Sequence, residues 1–132
     1  MIIYILSTVP AIGAYIGDSI TVYFMPIDGG IARDKVIELI EGARDYVYVA
    51  AYMIEDWGIA KALIEAYNRG VDVKVVSDKD SIDSESKIPY LMNNGVPVIL
   101  DNRDGDYMHN KFIVIDDEYV VTGSTNYNPQ AF

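Results

Sequence analysis

Two strand-like runs, residues 107–115 and 119–122, are separated by only three residues, Asp116, Asp117 and Glu118. Three residues are too few for a crossover helix, so the two runs must form an antiparallel hairpin. Upstream of the hairpin, strand-like and helix-like windows alternate along the chain. Such alternation is typical of an α/β protein whose sheet is largely parallel in its early part. The sequence therefore predicts an α/β fold with a mixed β-sheet.

The alternating windows begin after Ser19. Strand character is found in residues 20–25, 46–54, 71–76 and 96–100, and the run 46–54 is almost continuously apolar, as in a strand covered on both faces. Helical windows follow Asp28, a candidate N-cap, and begin again near Trp57 and Pro89. Residues 78–87 and 101–106 are predicted as polar and acidic loops.

The first 17 residues carry no charge, and Pro10, Gly13 and Gly17 interrupt them. No Lys or Arg precedes this run, so the basic start of a secretory signal is missing. Three interpretations remain open: a segment packed against the domain, a membrane or export segment, and an artefact of where the chain starts. We expect residues 1–18 to be a separate apolar segment and residues 19–132 to form the domain.

Composition restricts the chemistry of the chain. Cysteine is absent, which excludes disulfides, thiolate zinc sites and cysteine nucleophiles. A single histidine, His109, leaves mainly carboxylates for any metal site, and no metal or cofactor is predicted. The net charge of −10 repels polyanions at long range and argues against a broad basic surface for nucleic acid. A local phosphate site is still compatible with that charge.

The hairpin determines what lies beside His109. A two-residue turn sets His109 opposite Ser124 and Lys111 opposite Thr122, whereas a three-residue turn sets His109 opposite Thr125. Either register brings the histidine next to residues 123–126. Strand alternation also predicts that His109 and Lys111 share one face. The residues expected on the other face are Met108, Asn110 and Phe112.

The side chains gathered there suit a phosphoryl group. Lys111 can neutralise nonbridging oxygens as a point charge, and Asn126 can donate two N–H bonds to the same oxygens. Gly123 permits close approach of the backbone. His109 can attack phosphorus or transfer a proton near neutral pH.

The spacing of these residues is HxKx₄Dx₆GSxN, from His109 to Asn126. It resembles the HKD motif of the phospholipase D/nuclease superfamily at every position. The order of elements from about Ser19 onward is also similar to one half-domain of that family, as in its small bacterial and archaeal endonucleases. Residues 1–18 lie outside the resemblance, which implies a mixed β-sheet flanked by helices on both faces.

The resemblance also implies roles for individual residues. His109 matches the histidine that forms a phosphohistidine intermediate or, in a partner half-site, protonates the leaving oxygen. Lys111 and Asn126 match residues that hold the phosphate oxygens, and Ser124 matches one that hydrogen-bonds within the site. Asp116 matches the aspartate of the motif, but the hairpin places it at the turn, so we expect a structural or orienting role. The family mechanism uses no metal ion.

The single histidine favours a homodimer. Cleavage through phosphohistidine needs a nucleophile and a proton donor, and two imidazoles divide these tasks naturally. A twofold dimer would supply both from two copies of His109. The leading prediction is a metal-independent nuclease acting on DNA or RNA. The alternatives are a phospholipid phosphodiesterase, which would act on membrane lipid, and a non-catalytic module that binds phosphate or nucleic acid.

The sequence departs from the family pattern at its C-terminal end. The family usually continues past the GSxN residues and carries a downstream glutamate that orients the catalytic histidine. No glutamate follows Glu118, and the chain ends at Phe132. Three explanations remain open: the chain is truncated, another carboxylate such as Glu55 substitutes, or the protein is impaired.

Overall fold

The computed structural model describes residues 2–7, 20–103 and 105–132. The helices are α1 (Gly29–Glu41), α2 (Trp57–Asn68) and α3 (Ile88–Asn93). The strands are β1 (Ile2–Ser7), β2 (Ile20–Phe24), β3 (Tyr46–Ala51), β4 (Asp72–Asp78), β5 (Val98–Asp101), β6 (Lys111–Ile115) and β7 (Tyr119–Gly123).

The described strands form one sheet in the order β2-β1-β7-β6-β3-β4-β5. Strand β1 lies parallel to both β2 and β7, and β3, β4 and β5 are also mutually parallel along the sheet. Strand β6 is antiparallel to both of its neighbours, β3 and β7. The predicted α/β fold with a mixed sheet is confirmed.

The hydrophobic core lies between the helices and one face of this sheet. Alternate residues of the strands, such as Val47, Val49 and Ile113, are buried in a single cluster with Val36 of α1 and Leu63 of α2. The cluster also contains apolar residues of α3. The resemblance predicts helices on both faces of the sheet. The helices that the structure describes form the layer on the face that carries the hydrophobic core.

The hairpin adopts the register of a three-residue turn. Ile115 pairs with Tyr119, and Phe112 pairs with Thr122, so of the two registers left open the structure has the three-residue one, and the alternative with Lys111 opposite Thr122 is excluded. The Glu118 N–H donates to the Ile115 carbonyl at 2.9 Å, which closes a tight turn and leaves Glu118 as an extra residue before the ladder starts. Both central residues of this turn are left-handed, with φ of 52° at Asp116 and 56° at Asp117.

Several element boundaries differ from the sequence prediction. Strand β6 begins at Lys111 rather than at residue 107, and β3 ends at Ala51 rather than at residue 54. Asp28 occupies the predicted N-cap position of α1, but its carboxylate accepts the Phe24 N–H at 2.9 Å and makes no side-chain cap hydrogen bond to the helix. The predicted loop 78–87 begins with a short 3₁₀ turn, Lys79–Ser81.

Part of the N-terminal run belongs to the sheet, because Ile2–Ser7 pairs with both β2 and β7. The rest of the predicted 1–18 segment, from residue 8 onward, lies outside the described residues. None of the helices in the described ranges has the length and apolarity to cross a membrane.

Candidate active site

The candidate site lies where the carboxyl ends of the parallel strands β3 and β4 meet the start of the antiparallel strand β6. Tyr52 directly follows β3, Asp78 ends β4, and Lys111 begins β6. Ligands of open α/β sheets bind outside the carboxyl ends of the strands, so this edge is the expected place for a site.

The main chain around His109 is fixed from both sides. The Met108 N–H donates to a carboxylate oxygen of Asp78 at 2.7 Å. The Tyr52 N–H donates to the Asn110 carbonyl at 2.9 Å. The sequence predicts that β6 includes His109, but the strand begins at Lys111. His109 therefore lies just before the strand, in a segment that these two hydrogen bonds hold in place.

The imidazole of His109 is exposed and packs against an aromatic ring. Its centroid lies 5.0 Å from the centroid of the Tyr52 ring, with 56° between the two planes. Tyr107, also exposed, meets the Tyr52 ring edge-on at 6.1 Å. The imidazole is therefore open to a ligand from solvent while one side of it is in contact with the protein.

Lys111 is a buried cation with no carboxylate partner among the described residues. The residue is only 6% exposed, and its Nζ donates to the His109 carbonyl at 2.9 Å. Burial lowers the pKa of Lys111. Within the described residues, no carboxylate lies within ion-pair distance of it. A desolvated ammonium beside an exposed imidazole is an arrangement that a bound anion would stabilise.

The 123–126 segment leaves the hairpin at the same end as Lys111. Ser124 is exposed, Thr125 is buried and Asn126 is half-buried. The Thr125 Oγ1 and the Asn126 Oδ1 are buried and have no hydrogen-bond partner among the described residues. An unsatisfied buried polar atom costs about 1–3 kcal/mol. Such unpaired groups at the same end of the hairpin as Lys111 are compatible with a site that a ligand completes.

Asp116 lies at the opposite end of the hairpin and is not brought together with these residues. Its carboxylate accepts the main-chain N–H groups of Arg44, Asp45 and Tyr46 at 2.7, 2.9 and 2.8 Å. Burial alone would raise the pKa of Asp116, but the three hydrogen bonds outweigh it and hold the pKa below its ordinary value. Asp116 thus fastens the connection between α1 and β3 to the hairpin turn.

Glu55 belongs to a neighbouring acidic group. Its N–H donates to the Tyr127 carbonyl at 2.8 Å. Burial raises the pKa of its carboxyl group, and the charges of Asp83 and Glu85 add to that effect. Among the described residues, no hydrogen bond joins the Glu55 carboxylate to His109, so the structure does not bring this candidate for the orienting carboxylate into contact with the imidazole.

Sequence reasoning missed Tyr52 and Asp78. Each stands at the carboxyl end of a parallel strand, which is the signal that would have found them. For the described ranges, no group of three or more His, Asp or Glu side chains has an arrangement that would hold a metal ion.

Fold and site together define a phospholipase D-like domain. The family model described as "Cardiolipin synthase, PLD-like domain" matches residues 36–132, which include every residue of the HxKx₄Dx₆GSxN pattern. The chain belongs to this phospholipase D-like family. The predicted membership in a superfamily of phosphodiesterases is confirmed.

Curated relatives carry lipid-related names. A "Phospholipase D" of Rickettsia bellii is 37% identical over 97 residues, which cover 73% of this chain and 48% of the relative. A "Mitochondrial cardiolipin hydrolase" of Xenopus tropicalis is 43% identical over 101 residues, which cover 76% of this chain and 48% of the relative. The chain therefore spans about half the length of the curated relatives it matches.

Solved structures share the fold. The phospholipase D family member Nuc from Salmonella typhimurium superimposes with a TM-score of 0.69 at 35% identity, over 76% of this chain and 67% of that one. NucT from Helicobacter pylori gives the same TM-score at 29% identity, over 81% of this chain and 74% of that one.

Proposed function

We propose that this chain carries the site of a metal-independent phosphodiesterase, with nucleic acid as the leading substrate. The observation that carries the proposal is the placement of Lys111 beside His109: a buried ammonium, with no carboxylate partner in the described part of the chain, adjoins an exposed imidazole. The cation is placed to neutralise a phosphodiester anion, and the imidazole is accessible to its phosphorus atom. Ser124 and Asn126, at the same end of the hairpin, are the further groups proposed to contact the phosphate oxygens.

The proposed reaction has two balanced steps. In the first, a neutral imidazole nitrogen of His109 bonds to phosphorus, the bond to the leaving oxygen breaks, and a second imidazole gives that oxygen a proton. In the second step, the second imidazole, which is now neutral, takes a proton from water while the water oxygen bonds to phosphorus. The nitrogen–phosphorus bond then breaks and His109 is restored.

The second imidazole is proposed to come from a second copy of the chain. Each chain has one histidine, so a twofold dimer would set two copies of His109 at a shared site. The exposure of His109 supports this arrangement, because the imidazole faces outward from its own protomer. Asp116, which is remote from His109, is proposed to hold the hairpin rather than to take part in the reaction.

The test is nitrophenol release from bis(p-nitrophenyl) phosphate in excess EDTA. We expect the wild-type chain to turn over, and His109→Ala and Lys111→Met to lose at least about 100-fold in kcat/KM. Lys74→Met is the matched control, because Lys74 is an exposed lysine on β4 whose Nζ pairs with Asp72 at 2.7 Å. Turnover that His109→Ala retains, or that EDTA abolishes, would contradict the proposal.

The dimer is tested on the same protein by light scattering and by dilution. We expect specific activity to fall as the dimer dissociates on dilution. A monomer with undiminished activity would exclude a shared site.

A phospholipid substrate is the second candidate, and the names of the curated relatives favour it. The net charge of −10 weighs against broad contact with nucleic acid and with an anionic vesicle alike, so charge does not separate the two candidates. Single-stranded DNA, RNA and cardiolipin vesicles should be compared at equal phosphodiester concentration. Cleavage of the vesicles alone would identify phospholipid as the substrate. Salt-dependent binding of DNA without cleavage would indicate a non-catalytic binding module.

A further inference from the structure

The ring of Tyr52 touches both principal residues of the site. Its centroid is 5.0 Å from that of the His109 imidazole and 5.5 Å from the Lys111 Nζ. Tyr107 packs edge-on against the same ring at 6.1 Å. A single aromatic side chain that follows β3 is therefore in contact both with His109, which precedes β6, and with Lys111, which begins it.

The main chain of Tyr52 is held on both sides. Its N–H donates at 2.9 Å to the carbonyl of Asn110, the residue between His109 and Lys111. Its own carbonyl accepts the buried Ser77 hydroxyl at 3.1 Å, and that hydroxyl also donates to the Ala51 carbonyl at 2.9 Å. The base of the ring is thus fixed relative to both β4 and the residues it supports.

Such support has a physical purpose. The His109 imidazole makes no side-chain hydrogen bond to any described residue, so ring contact is what limits its rotamers there. The Lys111 ammonium gains a cation–π attraction from the Tyr52 ring, which offsets part of the hydration that it loses on burial. Attack on phosphorus requires the reacting atoms within a narrow range of distance and angle, so a loose imidazole lowers the rate of the chemical step.

We propose that Tyr52 is a positioning residue: its ring holds the His109 imidazole and the Lys111 ammonium in the geometry that a phosphodiester requires. This inference rests on the proposed function. The ring performs the task rather than the hydroxyl, because the hydroxyl has no hydrogen-bond partner among the described residues.

The test compares Tyr52→Phe, which keeps the ring, with Tyr52→Leu and Tyr52→Met, which remove it at similar bulk. Tyr48→Leu is the control, because Tyr48 is an exposed aromatic on β3, the strand that Tyr52 follows, and it stacks on Tyr46 rather than on the site. We expect kcat for bis(p-nitrophenyl) phosphate to fall about 10- to 100-fold without the ring. Tyr52→Phe and Tyr48→Leu should stay within about twofold of wild type, as expected when the reacting geometry is unchanged.

A second readout does not depend on turnover. The chain has one histidine, so its imidazole gives a single set of proton resonances that can be followed through a pH titration. We expect these resonances to move when the ring is removed, since the ring-current shift from Tyr52 is lost, and to stay in place in Tyr52→Phe and Tyr48→Leu. The readout is taken on variants whose circular dichroism matches the wild type.

Two results would overturn the inference. One is an unmoved His109 resonance together with full kcat in both Tyr52→Leu and Tyr52→Met. The other is a loss of kcat in Tyr52→Phe equal to that in Tyr52→Leu, which would assign the positioning to the hydroxyl. If the wild type shows no His109-dependent turnover, the proposed function fails. The shift of the His109 resonances then still tests whether the Tyr52 ring positions the imidazole, because that readout does not depend on turnover.

Discussion

The carboxylate of Asp78 accepts a 2.7 Å hydrogen bond from the main-chain N–H of Met108, the residue before His109. A second bond, at 2.8 Å, comes from the Asp80 N–H. Asp78 is buried, so both bonds form in a poorly solvated place where a charged acceptor is most effective. The end of β4 thereby sets the path of the chain into the site.

Replacing Asp78 by Asn tests this tether. Asn keeps the size of the side chain but retains one acceptor oxygen, so one of the two N–H groups loses its partner. We expect the free energy of unfolding to fall by about 1–3 kcal/mol in urea titrations, and kcat to fall with it. Asp106→Asn, at an exposed position, is the control. Equal midpoints for Asp78→Asn and wild type would refute the role.

Asp116→Asn should weaken the hairpin anchor and change its response to acid. Asn tolerates the left-handed φ of 52°, so the main effect is on the three N–H bonds. Because the folded pKa is lowered, the carboxylate's stabilisation is present above the unfolded value of about 4 and is lost as pH falls through the folded pKa.

The measurement is urea unfolding of wild type and Asp116→Asn at several pH values between 7 and 3. We expect a difference of about 1–3 kcal/mol at pH 7 that narrows below about pH 4. A difference that stays constant down to pH 3 would mean that the carboxylate charge does not contribute.

Lys111→Met should leave the unliganded protein as stable as wild type or up to about 1 kcal/mol more stable, because it removes a buried charge that no carboxylate of the described residues compensates. The lowered pKa gives the sign of the pH effect: wild type gains stability relative to the variant as pH rises from neutrality towards about 10, because the folded Lys111 loses its proton first. Thermal unfolding from pH 7 to 10 measures this, and a clear loss of stability in the variant at pH 7 would contradict it.

Inorganic phosphate should stabilise the wild type through Lys111. At ten times its Kd a ligand adds about 1.4 kcal/mol to the free energy of unfolding. We expect the increase in Tm to vanish in Lys111→Met and to persist in Lys74→Met, the exposed control. An equal increase in all three proteins would place the anion elsewhere.

The chemistry of the site could be predicted where it is local in sequence. His109 and Lys111 are two residues apart, and the three-residue gap after Ile115 requires a hairpin that leads to Asn126. The hairpin register stayed open because it depends on the conformation of Asp116–Glu118, which three acidic residues do not determine.

The hydrogen bonds that Tyr52 and Asp78 make in the site could not be predicted, because their partners are distant in sequence. The Tyr52 bond to Asn110 exists only once β3 and β6 are paired, and the Asp78 bond to Met108 only once β4 is beside them. The strand Ile2–Ser7 could not be predicted for a different reason. An uncharged run has the same composition whether it forms a central strand or an apolar anchor.

Strand β7 joins the β2-β1 pair to the rest of the described sheet, yet it follows the other described strands in the sequence. During synthesis, residues 2–7 emerge long before residues 119–123, so until then the edge of β1 that pairs with β7 is uncovered. Such long sequence separation slows folding and leaves an apolar strand edge unpaired in the nascent chain, where chaperones bind or aggregation begins.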